Sequence, residues 1–267
     1  MTTRKNIVPK RKEIDAKEPQ LRNLDELPWN EFQSILNETA SFASRSNNET
    51  LDDYFTHIET THITALDVER PKMEKRPKLI IMAGPNGAGK TSIMTKLAKH
   101  GWLKGMIYQN QDFVAQNLYG GWNDDEAIKK SGIYCEQERE ACLAEMKDLA
   151  FETVSGVYKL DFIKRAKMAG YHIIHIFVCT YSPTVNASRV AIRMMKGGHS
   201  IPLKTIISRY MEALLNARAL IKLADVSYIM DNSEHNAEAK LLMVFRDGKL
   251  KQQLVPELPR WAESLVE

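Results

Sequence analysis

A short apolar run that turns abruptly into glycine, lysine and hydroxyl residues constrains this chain more than any other feature. The run Leu79–Ala83 leads into Gly84-Pro85-Asn86-Gly87-Ala88-Gly89-Lys90-Thr91, and Ser92 follows. Residues 84–91 fit the pattern G-x-x-x-x-G-K-[ST], and helical spacing follows in Ile93, Met94 and Leu97. Because the motif stands between a β-type run and a helical pattern, the sequence predicts a phosphate-binding loop rather than a chance glycine-rich turn.

The composition of this loop suits a nucleoside triphosphate. Glycines let successive backbone N–H groups converge on phosphate oxygens, and a helix that begins near Lys90 adds the positive end of its dipole. We expect Lys90 to reach the β- and γ-phosphates of ATP and the Thr91 hydroxyl to bind Mg²⁺. The expected nucleotide-binding residues are Gly84, Asn86, Gly87, Ala88, Gly89, Lys90, Thr91 and Ser92.

Length and composition indicate an ordinary globular protein of 267 residues, with 43% hydrophobic and 27% charged residues. Its three cysteines form no C-x-x-C pair, which argues against a disulfide framework and a zinc site. The N-terminus lacks the apolar core of a secretory signal, and the longest apolar run, Tyr171–Tyr181, is too short to cross a bilayer. We therefore expect a cytoplasmic protein without a membrane contact.

Charge is distributed unevenly along the chain. Residues 1–12 hold five basic and no acidic side chains, whereas residues 13–69 hold three basic and thirteen acidic ones. The basic cluster Lys10-Arg11-Lys12 is interpreted as a solvated tail rather than a nucleic-acid contact. An acidic segment tethered to a basic, phosphate-binding body is electrostatically suited to dock on it.

The acidic segment has the pattern of two amphipathic helices. The first follows Asp25 and the second follows Thr50, with the apolar stripes Leu24, Phe32, Ile35, Leu36 and Leu51, Tyr54, Phe55, Ile58. Such a pair cannot bury both stripes alone, so we expect it to pack on the rest of the chain or on a second copy. A charged linker bracketed by Pro71 and Pro77 then separates a helical extension, residues 1–76, from a second domain, residues 77–267.

Strand patterns alternate with helical patterns throughout residues 77–267. This alternation after a phosphate loop predicts an α/β fold: a P-loop kinase-like parallel sheet flanked by helices, with a small N-terminal helical domain. Residues 241–254 predict a hairpin that turns at Asp247-Gly248.

Several stretches in residues 78–232 resemble the zeta toxin family. They are the loop itself, Asn110-Gln111-Asp112, Phe151-Glu152-Thr153-Val154-Ser155, Arg189 and Arg193 before Gly197-Gly198-His199, and Arg209-Tyr210. ABC-type transporters use a similar loop, but this chain has no Leu-Ser-Gly-Gly-Gln, and its apolar run at residues 173–178 does not end in Asp-Glu.

The resemblance implies a kinase that phosphorylates a sugar hydroxyl of UDP-N-acetylglucosamine, with ATP and Mg²⁺, and that a partner antitoxin holds inactive. Asp112 matches the general base, although a helix N-cap is the alternative for it. Glu152 and Thr153 match the residues that contact the substrate, and Arg189, Arg193 and Arg209 are candidates to clamp the γ-phosphate. No strand pattern ends in an Asp that could bind the metal. We therefore expect Mg²⁺ binding to depend on Thr91, waters and Asp112.

The acidic extension suggests an antitoxin in cis. We expect residues 20–65 to inhibit the kinase, because tethering gives a high effective concentration. A packing extension and a dimerisation arm are the alternatives. For the activity, the alternatives are a nucleotide-gated ATPase switch and a kinase of another nucleotide, a coenzyme or a polynucleotide end.

Overall fold

The computed structural model describes residues 76–121, 123–154, 157–195, 197–198, 201–235 and 237–266. The expected helices and domain of residues 1–75 lie outside this described part.

Strands and helices alternate along the described chain. In order they are β1 (Lys78–Ala83), α1 (Lys90–Lys99), β2 (Ile107–Gln109), α2 (Gln111–Tyr119), α3 (Asp125–Ala144), β3 (Leu149–Thr153), α4 (Val157–Met168), β4 (His172–Cys179), α5 (Pro183–Met195), α6 (Leu203–Leu223), β5 (Val226–Asp231), β6 (Lys240–Arg246), β7 (Lys249–Gln253) and α7 (Arg260–Glu263). The sequence patterns had not indicated α7, and they had indicated α2 only through the alternative role of Asp112 as a helix N-cap.

Within the described residues the strands form a seven-stranded sheet in the order β2-β3-β1-β4-β5-β6-β7. The first five strands in that order pair in parallel, as the sequence predicts. The hairpin β6–β7 turns at Asp247-Gly248 and adds an antiparallel edge next to β5. The phosphate-loop strand β1 therefore lies inside the sheet, between β3 and β4.

Alternating side chains of the inner strands enter two separate cores. Leu79 and Ile81 pack on one face of β1, and Ile80 and Met82 pack on the other. Helix α1 covers the Ile80 face, and α4 and α6 cover the Leu79 face. Both faces are buried, which explains why β1 and β4 read as continuous apolar runs.

The parallel strands bring their carboxyl ends to one edge of the sheet, which is where ligands bind in open α/β folds. The phosphate loop follows β1, Asp112 lies just after β2, and Glu152 lies at the end of β3. One expectation was wrong: β5 does end in an aspartate, Asp231. Its carboxylate accepts a hydrogen bond from the hydroxyl of Ser233. Among the residues described, none of the helices combines the length and apolar character needed to cross a bilayer.

Candidate active site

The phosphate loop connects β1 to α1 and is held by residues distant in the chain. Gly87 has a φ of 79°, and a Cβ there would lie 2.5 Å from the carbonyl oxygen of Asn186, so only glycine fits. The side-chain amide of Asn232 donates a hydrogen bond of 2.7 Å to the carbonyl oxygen of Ala88. The loop is thus braced from α5 and from the residues after β5. Of the expected loop residues, Asn86 and Ala88 are buried, whereas Ser92 is exposed.

Lys90 is buried at the start of α1. Its Nζ donates hydrogen bonds to the carbonyl oxygens of Gly84, at 2.9 Å, and Pro85, at 3.1 Å. Burial lowers the pKa of Lys90 from 10.5 to about 8, an effect that the carboxylates of Glu152 and Asp112 oppose. Arg193 and Arg209 lower this pKa further by repulsion. These four charged residues therefore surround the lysine closely enough to act on its charge.

Glu152 links the phosphate loop to β2. Its Oε2 accepts a hydrogen bond of 2.9 Å from the Thr91 hydroxyl, and its Oε1 accepts one from the Tyr108 hydroxyl. Burial raises the pKa of Glu152, although Lys90 and the hydrogen bonds from Tyr108 and Thr91 oppose the rise. The contact exists because β3 pairs directly with β1.

Asp112 lies in the first turn of α2 without capping it. The Asn110 side chain is the cap, since its Oδ1 accepts from the backbone N–H groups of Asp112, at 3.0 Å, and Phe113, at 3.4 Å. The interpretation of Asp112 as the N-cap is therefore wrong. Against the effect of burial, the negative charge of Asp112 acts to raise the pKa of both Lys90 and Arg193, so its carboxylate lies near both cations.

The three candidate arginines do not share one environment. Arg209 donates a hydrogen bond of 3.2 Å to Oδ1 of Asn86 in the phosphate loop. Arg193 is exposed on α5, yet partial desolvation lowers its pKa while Asp112 opposes the shift. Arg189 instead donates to three carbonyl oxygens after β5, those of Asn232 at 2.7 Å, Glu234 at 3.0 Å and Ser233 at 3.5 Å. The structure thus brings Arg193 and Arg209 to Lys90, and it ties Arg189 to a loop.

Thr153 and Glu152 point to opposite faces of β3. Thr153 is only 6% exposed, and its side chain lines a small cavity with Lys159 and Leu160 of α4 and Ala213 of α6. Glu152 lies on the α1 face, where it contacts Thr91. The two expected substrate residues are therefore neighbours in sequence but border different spaces.

Sequence reasoning missed Tyr108, Arg139 and Lys159. Tyr108 contacts Glu152, while Arg139 and Lys159 lie near each other at the ring of Phe151. Strand β2 has only three residues, so its sequence pattern did not indicate a role for Tyr108. Arg139 and Lys159 are lone cations on two helices that only the sheet brings together, so no sequence spacing indicates the pair.

Oxygen ligands for a metal ion lie beside the phosphate loop. Across the described ranges no cluster of three or more histidine, cysteine, aspartate or glutamate side chains could hold a metal ion. The hydroxyl of Thr91 and the carboxylate of Glu152 nevertheless present adjacent oxygens beside the phosphate loop. Mg²⁺ prefers oxygen ligands and usually takes only one or two from protein, with phosphates and waters supplying the rest. The donor set fits that mode of binding.

Fold and site together define a P-loop protein of the kinase type, in which a carboxylate and arginines face the phosphate loop. The zeta toxin family model matches residues 63–238, and the chain belongs to that family. This confirms the resemblance inferred from the motifs. The match begins before residue 77, the expected start of the second domain. No curated protein sequence matches the chain.

Solved structures share the fold at low sequence identity. A chain from the crystal structure of AvrRxo1-ORF1:AvrRxo1-ORF2 with sulphate ions has a TM-score of 0.53 and 16% identity, covering 88% of this chain and 71% of that one. A chain from the PezAT chromosomal toxin–antitoxin system of Streptococcus pneumoniae has a TM-score of 0.50 and 16% identity, covering 81% of this chain and 87% of that one. At 16% identity these similarities show a shared fold and nothing about activity.

Proposed function

We propose that this protein transfers the γ-phosphoryl group of ATP to a hydroxyl of a small molecule. The observation that carries the proposal is the position of Asp112, whose carboxylate is not used as a helix cap and acts on the charges of both Lys90 and Arg193. A carboxylate beside the phosphate loop is what a hydroxyl acceptor requires and what simple nucleotide binding does not.

The reaction follows from the roles of these residues. The acceptor hydroxyl oxygen attacks the γ-phosphorus, the bond from that phosphorus to the β–γ bridging oxygen breaks, and ADP leaves. Asp112 orients the hydroxyl and accepts its proton. Lys90, Arg193 and Arg209 stabilise the negative charge on the phosphoryl oxygens. Arg189, the third expected member of this clamp, would have to exchange its hydrogen bonds with the three carbonyls to join them.

Thr91 and Glu152 are the residues that would hold Mg²⁺. When bound, the ion offsets negative charge on the β- and γ-phosphate oxygens. The hydrogen bond that now joins the two side chains keeps both oxygens beside the loop. Tyr108 fixes the other carboxylate oxygen of Glu152 and so orients the group.

For the acceptor we propose UDP-N-acetylglucosamine, because the chain belongs to the zeta toxin family. Thr153 is the proposed contact with the acceptor at the end of β3, whereas Glu152, on the opposite face of the strand, is proposed to serve the metal. A cytoplasmic location is proposed with it, in keeping with the three buried free cysteines.

Inhibition by residues 20–65 is the second part of the proposal. It is supported by an apolar stripe on α6, which consists of Leu203, Ile207, Met211 and Leu215, exposed by 60%, 47%, 58% and 67%. The four residues are spaced four apart and so share one helix face. A surface of this kind suits the apolar face of an amphipathic helix, which the N-terminal sequence supplies. The toxin–antitoxin system to which the PezAT neighbour belongs makes an inhibitory partner a reasonable expectation.

The test is phosphate transfer from labelled ATP with and without UDP-N-acetylglucosamine. It compares the intact chain, residues 77–267, and residues 77–267 carrying Asp112→Ala. Acceptor-dependent product from the short form, abolished by the substitution and weaker in the intact chain, supports both parts. ADP release that no acceptor stimulates would favour the ATPase switch instead. Equal rates from the intact and short forms would reject inhibition in cis.

A further inference from the structure

Two glycines follow helix α5, and their backbones differ. Gly197 has a φ of 83°, in the left-handed region that favours glycine, whereas Gly198 does not have a positive φ. The N–H of Gly197 donates a hydrogen bond of 2.9 Å to the carbonyl oxygen of Met194, and that of Gly198 donates one of 3.0 Å to the carbonyl oxygen of Arg193. These two bonds form a Schellman motif, in which only the first of the two positions calls for glycine.

Gly198 therefore needs a second explanation, and the side chain of Arg193 supplies it. A Cβ at residue 198 would lie 2.6 Å from Cγ and 3.3 Å from Cδ of Arg193, and 3.0 Å from its carbonyl oxygen. The position after a Schellman glycine often carries an apolar side chain that packs back on the last turn of the helix. Here the glycine leaves that space to the aliphatic stem of the arginine, its atoms Cβ to Cδ.

The stem that packs on Gly198 carries a guanidinium beside the proposed reaction centre. Desolvation lowers the pKa of Arg193, and the carboxylate of Asp112 opposes that effect. After burial, which is the larger cause, the charge of Arg193 contributes to the lowered pKa of Lys90. Because such effects weaken with distance, the guanidinium lies near both groups. The path of the stem therefore decides where this positive charge lies.

We propose that Gly198 is a positioning residue: because it has no side chain, the stem of Arg193 lies along the end of α5 and its guanidinium reaches Asp112 and the phosphate loop. A methyl group at residue 198 would meet Cγ, an atom close to the helix backbone, and not the flexible tip of the side chain. Relief requires rotation about χ1 or χ2, which carries the guanidinium away. The catalytic consequence rests on the proposed phosphoryl transfer, whereas the placement of Arg193 does not.

The placement is tested without nucleotide on the full-length chain, by NMR of the arginine Nε–H groups. The Arg193 signal is assigned by its loss in Arg193→Gln. Asp112→Asn removes the neighbouring carboxylate and should shift this signal in the parent chain. In Gly198→Ala the same change should shift it less than about half as much, since the electrostatic effect falls with distance.

Gly197→Ala is the matched control for this measurement. A Cβ at residue 197 has nothing within 4 Å, so the alanine strains the backbone without touching the stem of Arg193. This variant should keep the full Asp112-dependent shift. A parent signal that does not respond to Asp112→Asn, a full response in Gly198→Ala, or an equal loss of response in Gly197→Ala would overturn the proposal.

The catalytic consequence is tested by a double-mutant cycle on phosphate transfer from ATP to UDP-N-acetylglucosamine. Gly198→Ala should lower kcat about 10- to 100-fold and change KM for ATP less than about threefold, as for a misplaced catalytic charge. Arg193→Ala removes Cγ and Cδ, so adding Gly198→Ala to it should lower kcat no more than about twofold further. Equal losses in both backgrounds would show that residue 198 acts through the backbone and would reject the positioning role.

Thermal melting of the same four proteins keeps the test decisive if Gly198→Ala unfolds. Arg193→Ala removes the atoms that the new methyl group meets, so it should restore the melting temperature of Gly198→Ala. Failure to restore it would show that the contact with the carbonyl oxygen, and not with the stem, requires glycine.

These outcomes separate the two proposals. An Asp112-dependent shift that Gly198→Ala weakens, in a chain that transfers no phosphate to any acceptor, would retain the positioning of Arg193 and reject the kinase. Transfer by the parent chain, with a full shift in Gly198→Ala, would retain the kinase and reject the positioning.

Discussion

The hydroxyl of Thr91 donates a hydrogen bond of 2.9 Å to Oε2 of Glu152, across 61 positions of sequence. It joins the first turn of α1 to the end of β3, so the phosphate loop and β3 are connected directly by two side chains. A substitution at either residue should therefore disturb both elements.

Asp112→Asn is expected to abolish transfer without unfolding the protein. Loss of a general base typically lowers kcat by about 10²- to 10⁴-fold. Because Asn110 caps α2, the substitution leaves the cap intact. Asn110→Ala is the contrasting variant and should lower the free energy of unfolding by about 1 kcal/mol. Steady-state kinetics and chemical denaturation measure the two effects. A stable Asp112→Asn variant with full kcat would contradict the role of the base.

Lys90→Met should stabilise the nucleotide-free protein in a pH-dependent way. The folded-state pKa of Lys90, about 8, lies below its ordinary 10.5, so the folded chain binds fewer protons between these values. The contribution of Lys90 to stability therefore rises with pH from about 8 to 10.5 and is least favourable below 8. The variant should gain about 3 kcal/mol near pH 7, and the gain should vanish above pH 10.5.

Denaturant unfolding of both proteins from pH 6.5 to 11 measures this difference, since titrating groups remote from Lys90 cancel between them. A gain that is independent of pH would mean that packing, not the buried charge, separates the two proteins.

The arginines should divide into two groups on substitution by glutamine. Arg193→Gln and Arg209→Gln remove charge from beside the phosphate loop and should each lower kcat by about 10²- to 10³-fold. Arg189→Gln leaves carbonyls after β5 without donors and should instead cost about 1–3 kcal/mol of stability, with a smaller loss of kcat. Parallel kinetics and thermal melting distinguish the groups. If Arg189→Gln lowers kcat as much as the other two substitutions, Arg189 also binds the γ-phosphate.

Gly87→Ala should remove nucleotide binding, whereas Gly105→Ala should not. Both glycines have positive φ, 79° and 74°, so both alanines carry a backbone cost of about 1–2 kcal/mol. Only the Cβ at residue 87 meets another group, the Asn186 carbonyl oxygen at 2.5 Å, whereas a Cβ at residue 105 has nothing within 4 Å. Titration with a fluorescent ATP analogue measures the affinity. Equal affinities of the two variants would show that the loop can shift away from α5.

Met211→Asp tests the apolar stripe on α6. If residues 20–65 dock there, a buried charge weakens the contact, and transfer by the intact chain should rise towards that of residues 77–267. The same substitution in residues 77–267 should change nothing, since Met211 is 58% exposed and projects from a different side of α6 from Arg209, two positions earlier. Arg218→Asp, at another exposed position of the helix, controls for added charge. If transfer by the intact chain does not rise, residues 20–65 do not inhibit through this stripe.

Much of the fold could be predicted from local pattern. The motif at residues 84–91 predicted where β1 ends and α1 begins, because this order of glycines and lysine is typical of a phosphate loop between a strand and a helix. The continuous apolar run before Cys179 is typical of a doubly buried strand, which β4 is, and Asp247-Gly248 predicted the hairpin turn. Helix α2 was indicated only by the wrong cap, Asp112, because its actual cap, Asn110, was considered only as part of a motif.

Sequence alone determined that this chain binds phosphates on a P-loop and which family it belongs to, because both depend on residues close together in the chain. Tertiary structure decided what each side chain faces. In the folded chain Glu152 contacts Thr91, and Thr153 borders a cavity with Lys159. Arg189 donates hydrogen bonds to backbone carbonyls after β5. Strand order and helix packing set such contacts, and these arise from burial over long sequence separations. The spacing of residues within a motif therefore does not predict these contacts.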